Sequence, residues 1–189
     1  MNVKPVLRQS QGFSLVEVLV ALVIVSIGLL GLAKMESLAL SSADTSGTRT
    51  IAAIQASSLA GMMHADHDYW GSANVTTAAT VTFTAGAVVV SDPNLVKPAA
   101  LTCTSSTAPC LPLAMAQYDL NSWATGLQSL LPGYQANIAC TPASLSAAPP
   151  APVTCTITIN WAENAVAANA SQTAIASLTS PSYTLNVEP

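Results

Sequence analysis

The stretch from Phe13 to Ala33, FSLVEVLVALVIVSIGLLGLA, constrains this chain more than any other. It is apolar apart from Ser14, Glu17, Ser26, Gly28 and Gly31. At about 1.5 Å per residue, ~20 such residues wound as a helix cross the ~30 Å hydrocarbon core of a bilayer. No proline interrupts the run, so every backbone N–H and C=O can be satisfied within the helix, as lipid requires. A membrane-spanning helix is the first expectation. Glu17 breaks the pattern, because a charged side chain at the bilayer centre costs about 2.5–3.5 kcal/mol on insertion scales. It needs either a cationic partner or reach to the interfacial water.

The flanking charges set the orientation. Residues 1–12, MNVKPVLRQSQG, carry Lys4 and Arg8, and no lysine or arginine follows until Lys34. The positive-inside bias therefore keeps the short leader in the cytoplasm and sends the remainder outward. A secretory signal peptide is the rival reading. It has a shorter apolar core with a small-residue cleavage site after it, whereas here the run is long and Gly12 stands before it.

Gly12-Phe13-Ser14-Leu15-Val16-Glu17, continued by VLVALVIVSIGLLGLA, resembles the class III signal of type IV prepilins and type II secretion pseudopilins. That resemblance implies cleavage between Gly12 and Phe13 by a prepilin peptidase, N-methylation of the new Phe13 amine, and retention of the helix. It further implies that Glu17 pairs with the Phe13 amine of a neighbouring subunit during assembly. The physical argument is compatible: an amine and a carboxylate held together in low dielectric offset part of each other's desolvation cost, and either alone stays penalised. Loss of the leader would leave three basic residues against nine acidic ones. That balance opposes binding to a phosphate backbone, so no nucleic-acid partner is expected.

Beyond Ala33 the run KMESLALSSADTSGTRTIAAIQASSLAGMMHADHD remains compatible with a helix. Ile51, Ile54, Leu59, Met62 and Met63 follow rough helical spacing, which predicts an amphipathic continuation over 34–68 with that stripe against a head. Gly28, Gly31 and Gly47 could loosen the helix locally. In HADHDYW, His64, Asp66, His67 and Asp68 match no familiar metal-ligand spacing, so an exposed polar helix end is expected and no metal or other cofactor. Tyr69 and Trp70 are expected to anchor that end.

The remaining 69–189 suit one head of modest size. Only 7% of the chain is charged, and mean hydropathy is +0.49. Strands are expected at Thr80–Thr84, Ala87–Val90, Tyr134–Cys140, Val153–Trp161 and Tyr183–Glu188, with a second amphipathic helix at 113–133. That helix places Leu120, Trp123, Leu127, Leu130 and Leu131 inward and stops at Pro132-Gly133. The fold expectation is α+β and pilin-like: a long N-terminal helix, then a globular head with a small antiparallel sheet. Cys103, Cys110, Cys140 and Cys155 all fall in the half placed outside the cytoplasm and are read as two disulfides. Cys103–Cys110 would close a small loop and Cys140–Cys155 would join neighbouring strands; the other two pairings stay open. Residues 164–182, rich in Ala, Asn and Ser, read as an exposed loop.

No GxSxG elbow, phosphate-cradling glycine loop or HExxH occurs, and the two histidines share one stretch. Asp119 is read as a helix N-terminal carboxylate set against the dipole. The chain is not expected to be an enzyme. YDLNSW, the LQSLLPG turn and a strand ending INWAE are similar to PilV-type minor pilins of Gram-negative bacteria. This resemblance implies a minor pilin held in the inner membrane with its head in the periplasm, then built into the pilus. Its partners would be other minor pilins, the major pilin and the assembly platform. A type II secretion pseudopilin, or a membrane-tethered tip adhesin or ligand-binding module, are the alternatives.

Overall fold

The computed structural model describes residues 12, 14–72, 75, 78–104, 109–144, 151–162 and 180–189. Phe13, nearly all of the leader and most of the expected 164–182 loop lie outside the described residues. The chain divides into two compact units, 1–42 and 43–189.

Helix α1 runs Leu15–Ala65. Every described side chain from Ser14 to Ser37 is exposed. The Ser26 hydroxyl donates to the Leu22 carbonyl at 2.7 Å, so this polar group brings its own partner along the helix. Further on, the Thr48 and Thr50 hydroxyls donate back to the Thr45 and Ser46 carbonyls at 3.0 and 2.9 Å, bonds that compete weakly with the helical ladder.

The head, within 43–189, is built on a five-stranded, wholly antiparallel sheet. Its strands are β1 (Ala79–Thr84), β2 (Ala87–Val90), β3 (Gln135–Thr141), β4 (Thr154–Asn160) and β5 (Ser182–Val187), in the order β2-β1-β3-β4-β5. Between β2 and β3 the chain passes through a short 3-10 turn, Pro93–Leu95, and helix α3, Pro112–Leu130. A one-turn helix α2, His67–Trp70, follows α1. The architecture is thus a long N-terminal helix followed by a head with an antiparallel sheet and a second long helix, a pilin-like α+β fold. Strand boundaries differ from the sequence expectation by a residue or two; Ser182, assigned to the loop, opens β5.

Alternation along each strand sorts the sheet into two faces. Val81, Ala136, Ile138, Cys140, Cys155, Ile157 and Ile159 point inward and are buried. The register sets Ile138 opposite Ile157, Ala136 opposite Ile159 and Cys140 opposite Cys155. The last pair is bridged, as is Cys103 with Cys110. On the outer face the Thr156 hydroxyl donates to Asn186 Oδ1 at 2.9 Å, and the Thr158 and Thr184 hydroxyls are bonded at 3.2 Å. Uncharged side chains therefore provide the solvated face in a chain with few charges.

The inner face shares one hydrophobic cluster with α1 and α3. From α3 come Ala116, Leu120, Trp123, Ala124 and Leu127, with Leu131 just beyond its end. Leu130, expected inward, is largely exposed; it lies three residues past Leu127, and the inward track continues at Leu131, four residues on. The Trp123 indole N–H donates to the Gln55 carbonyl of α1 at 3.0 Å. The buried Tyr134 hydroxyl donates to the Ala124 carbonyl at 2.9 Å, and burial pushes its pKa up to about 12.

On α1 the buried stripe is Ala52, Ala56, Leu59, Ala60 and Met63, which corrects the expected one. Ile51 and Met62 only flank it, and Ile54 is 59% exposed. Residues 52, 56, 59 and 63 recur at four, three and four positions, a tighter helical track than the one drawn through the isoleucines. Alanine carries half of that track, so the bulky residues alone mislead. Leu59→Ala should lower stability by about 2–5 kcal/mol, and Ile54→Ala should stay within about 0.5 kcal/mol of wild type, in urea unfolding of the detergent-solubilised protein.

β1 and β2 are joined through Ala85-Gly86, with φ of +52° and +80°. Both residues are left-handed, as a two-residue type I′ hairpin requires. Gly86 adopts this without strain, whereas Ala85 suffers the Cβ clash that an Asn side chain tolerates better. Ala85→Asn should stabilise the head by about 0.5–1 kcal/mol, and a neutral or destabilising result in the same unfolding measurement would refute that reading of the turn.

Candidate functional site

The sequence singled out three places: the Gly12–Phe13 junction with Glu17, the HADHDYW segment, and the four cysteines. The first is the candidate assembly site. Gly12 is exposed. The Ser14 carbonyl accepts the opening bonds of α1, from the Glu17 N–H at 3.0 Å and the Val18 N–H at 3.3 Å. Glu17 therefore lies in the first turn, where the unsatisfied N–H groups concentrate partial positive charge and a carboxylate is favourable. Ser14 and Glu17 also stand at the spacing of a capping box.

Glu17 borders a shallow strip with Val18, Ala21, Leu22 and Val25. These positions share one face of the helix at steps of three and four. An apolar face bearing one carboxylate at its start is what a second apolar helix with a cation at its own start would match. Within one chain Glu17 cannot be neutralised by a lysine or arginine of the same helix face, since the next is Lys34, about 25 Å further along at 1.5 Å per residue.

At the other end of α1, the expected exposed polar terminus is only partly found. His64, His67 and Asp68 are exposed, and His67 Nε2 lies 3.8 Å from Asp68 Oδ1. Asp66, by contrast, is buried, and Tyr69 and Trp70 are buried beside it with rings in edge-to-face contact at 5.1 Å. Burial, with the charges of Asp119 and Asp68 adding to it, raises the Asp66 pKa to about 6. Among the described residues no three His, Cys, Asp or Glu side chains gather as a metal site.

Asp119 also differs from its reading as a helix N-terminal carboxylate. It is the eighth residue of α3, beyond the turn in which the dipole acts, and burial raises its pKa. Its charge helps to raise the Asp66 pKa, a link that sequence reasoning missed because the two are 53 positions apart and nothing local pairs them. The YDLNSW and LPG elements do have clear local uses. Trp123 ties α3 to α1, and Gly133 takes φ +74° in the turn that leads from α3 into β3.

The prokaryotic N-terminal methylation motif matches residues 7–33. The motif gives the chain the N-terminus of a type IV pilin/pseudopilin-like prepilin and implies processing by prepilin peptidase; pilin-like proteins are typically non-enzymatic structural proteins. No curated protein and no solved structure matches the chain. The apolar first helix is consistent with inner-membrane anchoring before assembly.

Proposed function

We propose that this prepilin is a minor pilin of the type IV pilus, of the PilV type, that enters the filament through its N-terminal helix and helps to initiate assembly. The observation that carries this reading is Glu17, exposed in the first turn of an apolar helix that is itself exposed over its membrane-length segment. Residues 1–12 are the leader, 13–33 the membrane and assembly helix, 34–68 its continuation and 69–189 the periplasmic head. Cleavage between Gly12 and Phe13 creates an amine whose methylated, still cationic form stands four residues before Glu17 in the sequence. The amine of one subunit then meets Glu17 of its neighbour, and apolar faces replace lipid with each other. Because lipid and leucine are about equally apolar, packing and the charge pair supply the preference for the bundle.

Other minor pilins, the major pilin and the assembly platform are the partners of this reading. Two disulfides and a five-stranded head support a pilus subunit over the closest rival, a type II secretion pseudopilin. Deleting the gene should reduce surface pili and twitching while leaving exoprotein secretion intact; the reverse outcome selects the pseudopilin. Loss of attachment at normal pilus number would instead point to a tip adhesin.

Gly12→Leu should leave the uncleaved 189-residue protein in the membrane, read as intact mass. A shortened product from that variant would show that the peptidase cuts elsewhere. Glu17→Ala should be cleaved normally, yet appear in sheared filaments at least about tenfold less than wild type, since losing one partner of a buried ion pair costs well over the 1.4 kcal/mol that a factor of ten represents. Equal amounts in the filament would remove the ion pair from the mechanism.

A further inference from the structure

We propose that the corner where α1 gives way to α2 is an acid-set latch of the head, in which Asp66, enclosed there with its Oδ2 buried and without a hydrogen-bond partner, holds a proton that stabilises the folded corner and is released as the surroundings become neutral. This inference is independent of the assembly role proposed above, since it concerns only the 43–189 unit.

The geometry begins with the backbone. The Asp66 N–H donates to the Met62 carbonyl at 3.0 Å, closing α1, and the Asp66 carbonyl accepts from the Tyr69 and Trp70 N–H groups at 3.1 and 3.2 Å, opening α2. The backbone of the residue is pinned from both sides. An aspartate that starts a helix ordinarily turns its carboxylate onto the first N–H groups. Asp66 makes no such side-chain cap. The residue is 9% exposed, and Oδ2 is buried with no hydrogen-bond partner.

The groups around it give no compensation. Asp119, half-buried, acts on it from α3, and Asp68 acts on it from α2. His64, in the last turn of α1, and His67, in α2, flank it in sequence but are exposed. From the C-terminal segment, the Pro189 carbonyl comes up to Gly71, 3.7 Å from where a Cβ on that glycine would lie. The lysine that reaches α3, Lys97, sits over the Tyr118 ring at 6.0 Å and donates to the Pro98 carbonyl. An ionised Asp66 is therefore a buried charge among like charges, and a protonated one is a neutral group that can donate.

The sign follows from the raised pKa. The unfolded chain releases this proton near the ordinary 3.8, the folded chain near 6. The stabilising contribution is complete below the lower value and is lost as pH rises to the upper one. The test is thermal unfolding of the full detergent-solubilised protein from about pH 4 to about pH 7.5, wild type against Asp66→Asn. The variant should melt about 3–8 °C above wild type at the neutral end and level with it at the acid end. An equal offset at both ends, or a variant less stable at the neutral end, would overturn the latch. Should the variant fail to fold, carbon NMR of wild-type Asp66 decides: a midpoint close to 6 is expected, and one in the ordinary carboxylate range refutes it. Asp119→Asn should lower that midpoint, an effect a merely structural role would not produce. Millimolar calcium that stabilises wild type at the neutral end but not Asp66→Asn would replace the proton with a metal and overturn the proposal.

Discussion

A carboxylate in the first turn of an apolar helix is tolerable under few conditions, and those conditions order much of the structure. Glu17 gains from the partial positive charge at the start of α1 and from lying near one end of the membrane-length run, where water is closest. Neither effect gives it a counter-ion, and the helix face it occupies offers only Val18, Ala21, Leu22 and Val25. A surface of this composition is stable in lipid and becomes more stable beside a second helix that carries a cation at the same level. The N-terminal methylation motif over residues 7–33 implies processing by prepilin peptidase, and the amine so exposed is the cation of the assembly reading proposed above.

The head meets the opposite requirement, since it must stay folded in water with few charges. It does so by closing every strand of an antiparallel sheet into one inner face and covering that face with α1 and α3. Threonine and asparagine on the outer face satisfy one another across β4 and β5, which keeps that surface polar without charge. The Cys140–Cys155 bridge lies between directly paired positions of β3 and β4, so it adds constraint to the unfolded chain where the native sheet is already in register.

Most of this was legible in the sequence because it rests on local periodicity. The apolar run, the alternating strand around VTCTITINW and the inward track of α3 each repeat often enough to fix an element to within one to three residues. What failed was specific. Ile54 looked like core by bulk, but the buried track runs through Ala52 and Ala56, and alanine gives no pattern to read. Leu130 was one position off the same kind of track. Asp66 reads as part of a solvated helix end because its neighbours His64, His67 and Asp68 are polar and exposed, yet it is buried, as are Tyr69 and Trp70 just after it. The Asp66–Asp119 link depends on how α2 packs on α3, and no sequence window contains both.

The first helix thus has an acidic side chain near each end, and the two contrast in burial. Glu17 is exposed on an apolar surface, so its missing cation can arrive on another molecule, and the energy it releases on pairing depends on that molecule being present. Asp66 is enclosed, with an oxygen that solvent does not reach, so a proton is the counter-charge that its corner admits in the latch proposed above. In the two proposals above, a carboxylate without a counter-ion therefore answers to a partner at one end and to pH at the other. Burial, not residue type, decides which.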